Sequence, residues 1–266
     1  MVLLALFGMV MGQGVVWYTG QFYAQTFLEN VCKVDFGQTR TILIWAILLA
    51  TPGFILFGWW SDRVGRKWIM LAGMLLAVAS YRPIYRQMMA VGDIKGAVVD
   101  STRNRVQRTI LPAGDKPYSI VHVTTHLHYD NGIVGKEVRR DTLYNDNRPT
   151  GTGAAKTTLE LPDGKYWAMV LLVFIQILYV TMVYGPIAAF LVELFPTRIR
   201  YTSMSLPYHV GNGVFGGLTP FVAVLLTTMH RQDPLVGLWY PIGVAVVCLL
   251  IGSLYVRNTK DPDVTD

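Results

Sequence analysis

The chain has 266 residues, 52% of them hydrophobic and only 15% charged, with a mean hydropathy of +0.38. Soluble domains carry about 25% charged residues, so this composition excludes an ordinary soluble globule and points to a bilayer. The net charge of +6 does not point to nucleic acid, because residues 82–165 hold 13 Lys and Arg against 9 Asp and Glu in mixed order and form no basic stripe.

Windows without a formal charge cover residues 1–28, 41–61, 68–81, 166–192, 201–230 and 234–256. A spanning helix needs about 20 apolar residues. Five windows satisfy that outright, and 68–81 must borrow its neighbours through Tyr85. Buried helices of a soluble protein are the alternative, and five such windows in one small chain weigh against it. The expected spans are 3–28, 39–60, 67–86, 166–192, 201–228 and 235–256. The first is no signal peptide: it lacks a basic start, is too long, and contains Gln13, Trp17, Gln21 and Gln25. Cys32 in a loop and Cys248 in the last window suggest neither a disulfide framework nor a metal motif.

Four units follow: helices one to three in 1–92, an insert in 93–163, helices four to six in 164–258, and a tail in 259–266. The insert changes character, with Gly, Pro, Asn and Asp punctuating short alternating runs. Tyr118 to Tyr129, then Asp130-Asn131-Gly132, then Ile133 to Tyr144 predicts a β-hairpin. Residues 147–157 read as a flexible return. The insert is β-rich and small for an independent core.

Two features of the insert invite over-reading. The run from Gly151 to Thr157 lacks the glycine a phosphate-binding loop needs directly before its lysine, where Ala155 stands, and no buried strand precedes it. His122, His126 and His128 share one strand face, but no carboxylate or cysteine completes a metal site at a known spacing. A solvated strand face is the simpler reading. No metal and no cofactor is expected.

Short loops set the orientation. Arg63, Arg66, Lys67, Arg198, Arg200, Arg257 and Lys260 fall on one side, and Lys33, Arg40 and Arg231 on the other. The positive-inside rule puts the first set, and both termini, in the cytoplasm and residues 93–163 outside.

The stretch Gly58-Trp-Trp-Ser61-Asp62-Arg63-Val-Gly65-Arg66-Lys67 packs charges and a turn glycine between two spans. It resembles the G-x-x-x-D-R-x-G-R-[RK] loop of the major facilitator superfamily. Glu193-Leu-Phe-Pro196-Thr-Arg198-Ile-Arg200 is similar to the E-x-F-P-x-x-x-R loop of that superfamily's sugar porters and metabolite:proton symporters. Gln13 to Tyr23 and Tyr201 to Gly217 look like the symporter branch. The resemblance covers all six spans and leaves out the insert. It implies an all-α transmembrane fold: a six-helix bundle, half of a twelve-helix transporter, with the β-rich insert between helices three and four. The motif order matches the C-terminal half, so the expected partners are the lipid bilayer, a small-molecule substrate, protons, and a missing N-terminal half or another copy, with no nucleic acid. The expected location is a bacterial inner membrane.

Physical reasoning on the residues runs alongside. Gly65 permits a sharp turn. Asp62 can pair with Arg66 or face the N-terminus of the helix starting near Tyr201. With Gly58, Arg63, Lys67, Glu193, Arg198 and Arg200 these form an expected cytoplasmic gate; a solvated loop is the competing reading. A substrate path should be lined by polar groups facing the bundle interior. The candidates are Gln13, Trp17, Gln21 and Gln25, which recur at i+4, then Gln176, Tyr179 and Tyr184, then Tyr208, His209 and Asn212. Interhelical hydrogen bonding as packing is the competing reading for each. The Gly185-Pro186 pair should break or bend its helix, and Gly211, Gly213, Gly216, Gly217 and Pro220 read as packing and hinge positions. His209 is the sole deep titratable candidate for coupling.

The expected function is half of a secondary transporter, a proton-coupled symporter of a sugar, organic acid or osmolyte working by alternating access, and no enzyme. Two competitors remain: a membrane-anchored binding or sensor module acting through the insert, and a metal enzyme using the three histidines.

Overall fold

The computed structural model describes residues 1–100, 102–112, 118–144, 152–230 and 232–256. The tail 259–266, Arg231, Arg257 and residues 147–151 of the 147–157 return lie outside the described residues. Six helices are long and apolar enough to cross a membrane: α1 (Val2–Asn30), α2 (Phe36–Val64), α3 (Arg66–Val91), α4 (Asp163–Leu194), α5 (Thr197–Met229) and α6 (Val236–Tyr255). All but α6, which is shorter than the window 234–256, outrun the uncharged windows that predict them. Helix α3 gains most, carrying Arg82, Pro83 and Arg86 within its last turns before it ends at Gly92.

Lipid tails supply no hydrophobic drive between helices, so packing relies on close approach and hydrogen bonds. Helix α1 is the centre of the bundle, with 67% of its apolar window buried against 22% for α5. Its meeting with α5 is set by two glycines. A Cβ on Gly14 would lie 2.7 Å from the Gly211 carbonyl oxygen, and one on Gly211 would lie 2.7 Å from Val10. Gly216 completes that contact against Tyr18. The expected Gly213 and Gly217 contribution differs: Gly213 faces open space, and Gly217 abuts only the backbone of its own helix. On the other flank the Gly12 N–H donates to Cys248 Sγ on α6 at 3.0 Å.

Regular α geometry is interrupted in several of the spans, in α2 at Thr51 before Pro52. Helix α1 widens to π geometry at Leu6–Val10 and Thr19–Tyr23, and α5 does so at Val210–Gly216. Helix α4 breaks into Asp163–Tyr184 and Ile187–Leu194 at Gly185-Pro186, since Pro186 brings no N–H. The widened stretch of α1 receives outside donors: Tyr81 donates to Val16 O at 3.3 Å and Tyr85 to Thr19 O at 3.0 Å, both from α3.

The chain between α3 and α4 forms an antiparallel meander, β1 (Arg105–Pro112), β2 (Tyr118–His128), β3 (Val134–Tyr144) and β4 (Lys156–Glu160), in sequence order. The β2–β3 turn is a three-residue loop with Gly132 at φ +80° and the Gly132 N–H bonded to Tyr129 O at 3.0 Å. That is a type I turn closed by a left-handed glycine, not the two-residue Asn-Gly turn. The sheet borrows its core. Ile133, Leu159 and Leu161 are buried in the same apolar cluster as Phe27, Val34 and Met88 of the helical part. Backbone bonds tie β4 to the α1–α2 loop, with Leu159 N–H on Lys33 O at 2.7 Å and Asp35 N–H on Leu159 O at 2.8 Å. Gln38 finishes the joint by bonding both backbone groups of Leu161, at 3.0 and 2.7 Å.

Candidate functional site

Two groups of side chains stand out, one at mid-depth and one at the end where α2 turns into α3.

The mid-depth group draws on α1, α4 and α5. Gln13 Nε2 donates to Asn212 Oδ1 at 3.1 Å, and Asn212 Nδ2 donates to Tyr208 O at 3.0 Å. The Tyr208 and Tyr184 hydroxyls share a hydrogen bond at 2.8 Å. Trp17 stacks on Tyr184 with ring centres 6.1 Å apart, and Phe54 meets the edge of Tyr184 at 6.2 Å. Tyr18 and Phe22 extend the aromatic surface, the latter 45% exposed. Gln13 is fully buried, yet its Oε1 has no donor. A buried orphan acceptor costs about 1–3 kcal/mol, so this amide is set to receive a hydroxyl, an ammonium or a water. Each contributing helix loses regular geometry within a few residues of the group: at Thr19–Tyr23, at Gly185-Pro186 and at Val210–Gly216. Such breaks free backbone groups only where protein or a cavity can take them up.

Half of the ten candidates for the path, Gln13, Trp17, Tyr184, Tyr208 and Asn212, come together here. The others stand elsewhere. Gln176 is buried against α3, with Nε2 on its own Leu172 O at 3.2 Å and 3.6 Å from Met88 Sδ. Tyr179 accepts from Ser80 Oγ of α3 at 3.0 Å. Both contact α3, and Gln176 Oε1, like that of Gln13, is buried without a donor. Gln21 and Gln25 are half-buried on α1, outside the hydrogen-bonded chain. His209 is exposed on α5, its Nδ1 within 2.8 Å of Ser205 O on the same helix. It lies one residue from Tyr208 and so points off the cluster.

The second group is ionic. Gly65 holds φ +107°, ψ 132° between α2 and α3, a conformation closed to side-chain-bearing residues without strain. That turn puts Arg66 between two acids: Nε donates to Glu193 Oε1 at 2.7 Å and Nη1 to Asp62 Oδ1 at 2.7 Å. One guanidinium thereby joins the ends of α2, α3 and α4. Arg63 lies over the Trp59 ring, 3.9 Å from its centre. Lys67 does not join the ion cluster. It is 6% exposed and donates from Nζ to Ser253 O at 2.9 Å and Val256 O at 2.6 Å, closing the C-terminus of α6. Arg200 caps Phe195 O at 3.0 Å through Nε, and Arg198 is exposed. Gly58 faces open space. Asp62 meets Arg66 and not the start of α5.

At the opposite end Arg82 of α3 lies 3.5 Å from Asp233 and over the Trp239 ring at 4.8 Å. Sequence reasoning missed this link, although Arg82 is the charge that ends the third uncharged window. The three insert histidines are exposed enough to be reached by solvent, and the described residues hold no cluster of His, Cys, Asp or Glu fit for a metal.

Parts of the chain are similar to curated transport proteins. A putative metabolite transport protein of Haemophilus influenzae is 34% identical over 116 residues, 42% of this chain and 25% of the relative. The inner membrane metabolite transport protein YhjE of Escherichia coli is 35% identical over 72 residues, 26% of this chain and 16% of that protein. The alpha-ketoglutarate permease of Escherichia coli is 32% identical over 68 residues, 26% of this chain and 15% of the permease. The chain therefore matches a quarter or less of the length of each of these relatives. No family model matches, and no solved structure does. The relatives are metabolite transporters, and the six apolar helices are those of a multi-pass membrane protein.

Proposed function

We propose that the chain is the C-terminal six-helix half of a major facilitator-type symporter that carries a small polar metabolite together with protons by alternating access. The observation that carries this reading is the mid-depth cluster. Its amides and hydroxyls are linked across three helices, one buried acceptor is left open, and all three helices are irregular beside it. Secondary transporters bind at the bilayer midplane on discontinuous helices, between two repeats. The 22% burial of α5 supports a second unit laid against that side. In this reading Gln13, Asn212 and the two tyrosines hold the substrate, Trp17 stacks on it, and Arg66 with Asp62 and Glu193 closes the cytoplasmic side. Both termini are cytoplasmic and the sheet is extracytoplasmic, as the distribution of loop charges supports. An organic acid comes first among the substrate classes, by likeness to the alpha-ketoglutarate permease.

The test is a melting screen of the detergent-purified chain against alpha-ketoglutarate, glucose and betaine. One class is expected to raise Tm, and Gln13→Ala to abolish that rise. Proteoliposomes holding the chain alone are expected to show no uptake. Stabilisation that survives Gln13→Ala, or uptake by the chain alone, would overturn the reading of site or half.

A further inference from the structure

The insert sheet sorts its charges by face. The pairing register places Arg105, His126 and Lys136 side by side in one row across β1, β2 and β3. His122 and Arg140 form a second row on the same face with Thr109. Lys156 of β4 belongs to that face too, opposite Val138. Its one strand acid is Glu160, opposite Val134. The other face carries Arg108, Glu137, Arg139 and Asp141, a balanced set in which Arg139 is already paired with Asp141 at 2.9 Å. On the first face Arg105, Lys136, Arg140 and Lys156 make no ion pair among the described residues.

The register sets each of these cations opposite a histidine, threonine or valine, so the face gathers positive charge without placing like charges directly opposite one another, which would be destabilising. Neighbouring strands lie about 4.8 Å apart, so Arg105 and Lys136 stand roughly 10 Å apart with His126 between them. A concavity of about 700 Å³ opens beside this row, lined by Arg103, Arg105, Gln107, His126, His128 and Glu160 among its residues, with Lys136 next in the row outside that lining. At its rim the Asn104 side chain accepts from the His128 N–H at 3.2 Å, and Arg103 is held by Asp100 at 3.2 Å. His128 Nδ1 is shielded and has no partner.

We propose that this face is a binding site for a small multivalent anion bearing phosphate or carboxylate groups. Arg105 and Lys136 hold it from the two strands flanking β2, with His126 between them as a further hydrogen-bonding group. The site is separate from the mid-depth cluster and stands or falls without it. The charged groups around His126 are Arg105 on β1, Lys136 on β3, Arg103 at the concavity and Glu160 on β4, in the row of Val134 and His128. Cations outnumber acids there.

The experiment uses the whole chain in phosphatidylcholine nanodiscs, titrated calorimetrically with sodium pyrophosphate. Saturable binding is expected, weakening steeply with added NaCl. Arg105→Gln and Lys136→Gln should each weaken it by about tenfold, the loss of one charge-assisted hydrogen bond, while Arg108→Gln on the opposite face leaves it unchanged. Absence of saturation, or an equal loss with Arg108→Gln, would overturn the proposal. So would binding that appears only on phosphatidylglycerol discs, which would assign the face to the bilayer. If a variant misfolds by circular dichroism, the salt dependence of the wild-type chain decides.

Discussion

The ionic group at the α2–α3 turn and the amide–aromatic group at mid-depth are built on opposite terms. At the turn, the central cation finds both of its acids inside the chain. At mid-depth the hydrogen-bonded series stops at a buried acceptor with nothing to receive. The first is therefore a joint that ties this chain's own helices together, and the second keeps one buried acceptor unmet.

Substitutions can sharpen the contrast. The largest expected effect is Glu193→Ala, which leaves Arg66 partly buried with only the exposed Asp62; a loss of about 3 kcal/mol follows, read as a fall in Tm of the detergent-solubilised chain. An unchanged Tm would show that the joint is no joint. Gly65→Ala comes next, at about 1–2 kcal/mol for a side chain forced to positive φ, measured the same way. Gln13→Ala should cost the fold little, about 0.6 kcal/mol for an interhelical contact, while abolishing ligand stabilisation. A large loss of stability with no change in ligand response would turn the mid-depth group into packing. Asp62→Asn, on a side chain 59% exposed, should shift stability by less than about 1 kcal/mol.

The smallest effect is chemical. Burial pushes the Cys32 thiol up to about 12, so at pH 8 only about one thiol in ten thousand is thiolate, the form that reacts. Maleimide labelling of Cys32 in the folded chain is expected to be slow, and to accelerate on unfolding. Since the folded value lies above the ordinary one, the protonated thiol is the form that folding favours, and stability from it declines as pH rises from the ordinary thiol value of 9.0 towards about 12.

The helices were legible because uncharged length is a direct demand of the bilayer, and the ionic turn because glycine between opposite charges leaves few conformations. The β2–β3 hairpin was legible from its Asp-Asn-Gly loop. Strands β1 and β4 were not: Arg105–Pro112 and Lys156–Glu160 alternate weakly and gain their pairing from neighbours already in place. The mid-depth group was half legible. A helix period tells which residues share a stripe, but not which helix lies across from it. Gln176 and Tyr184, eight residues apart, differ by about 80° around a regular helix, enough to send one to α3 and the other to α5. Lys67 misled for a related reason. Its place in a charged loop suggested a gate, while its long stem reaches the open carbonyls of α6. The π stretches left no sign in composition: Gly8 and Gly20 within those of α1 seat against the α6 end and α4, and Gly211 and Gly216 of α5 against α1.

The pairing of β4 with Lys33–Asp35 turns the sheet into a pointer. Two backbone hydrogen bonds and the Gln38 clamp fix its edge to the chain leaving α1. A 29-residue helix is about 43 Å long, so a tilt of about 10° about its middle swings that end by about 4 Å. Because the sheet edge is bonded to that end, any such tilt of α1 would carry β4 with it.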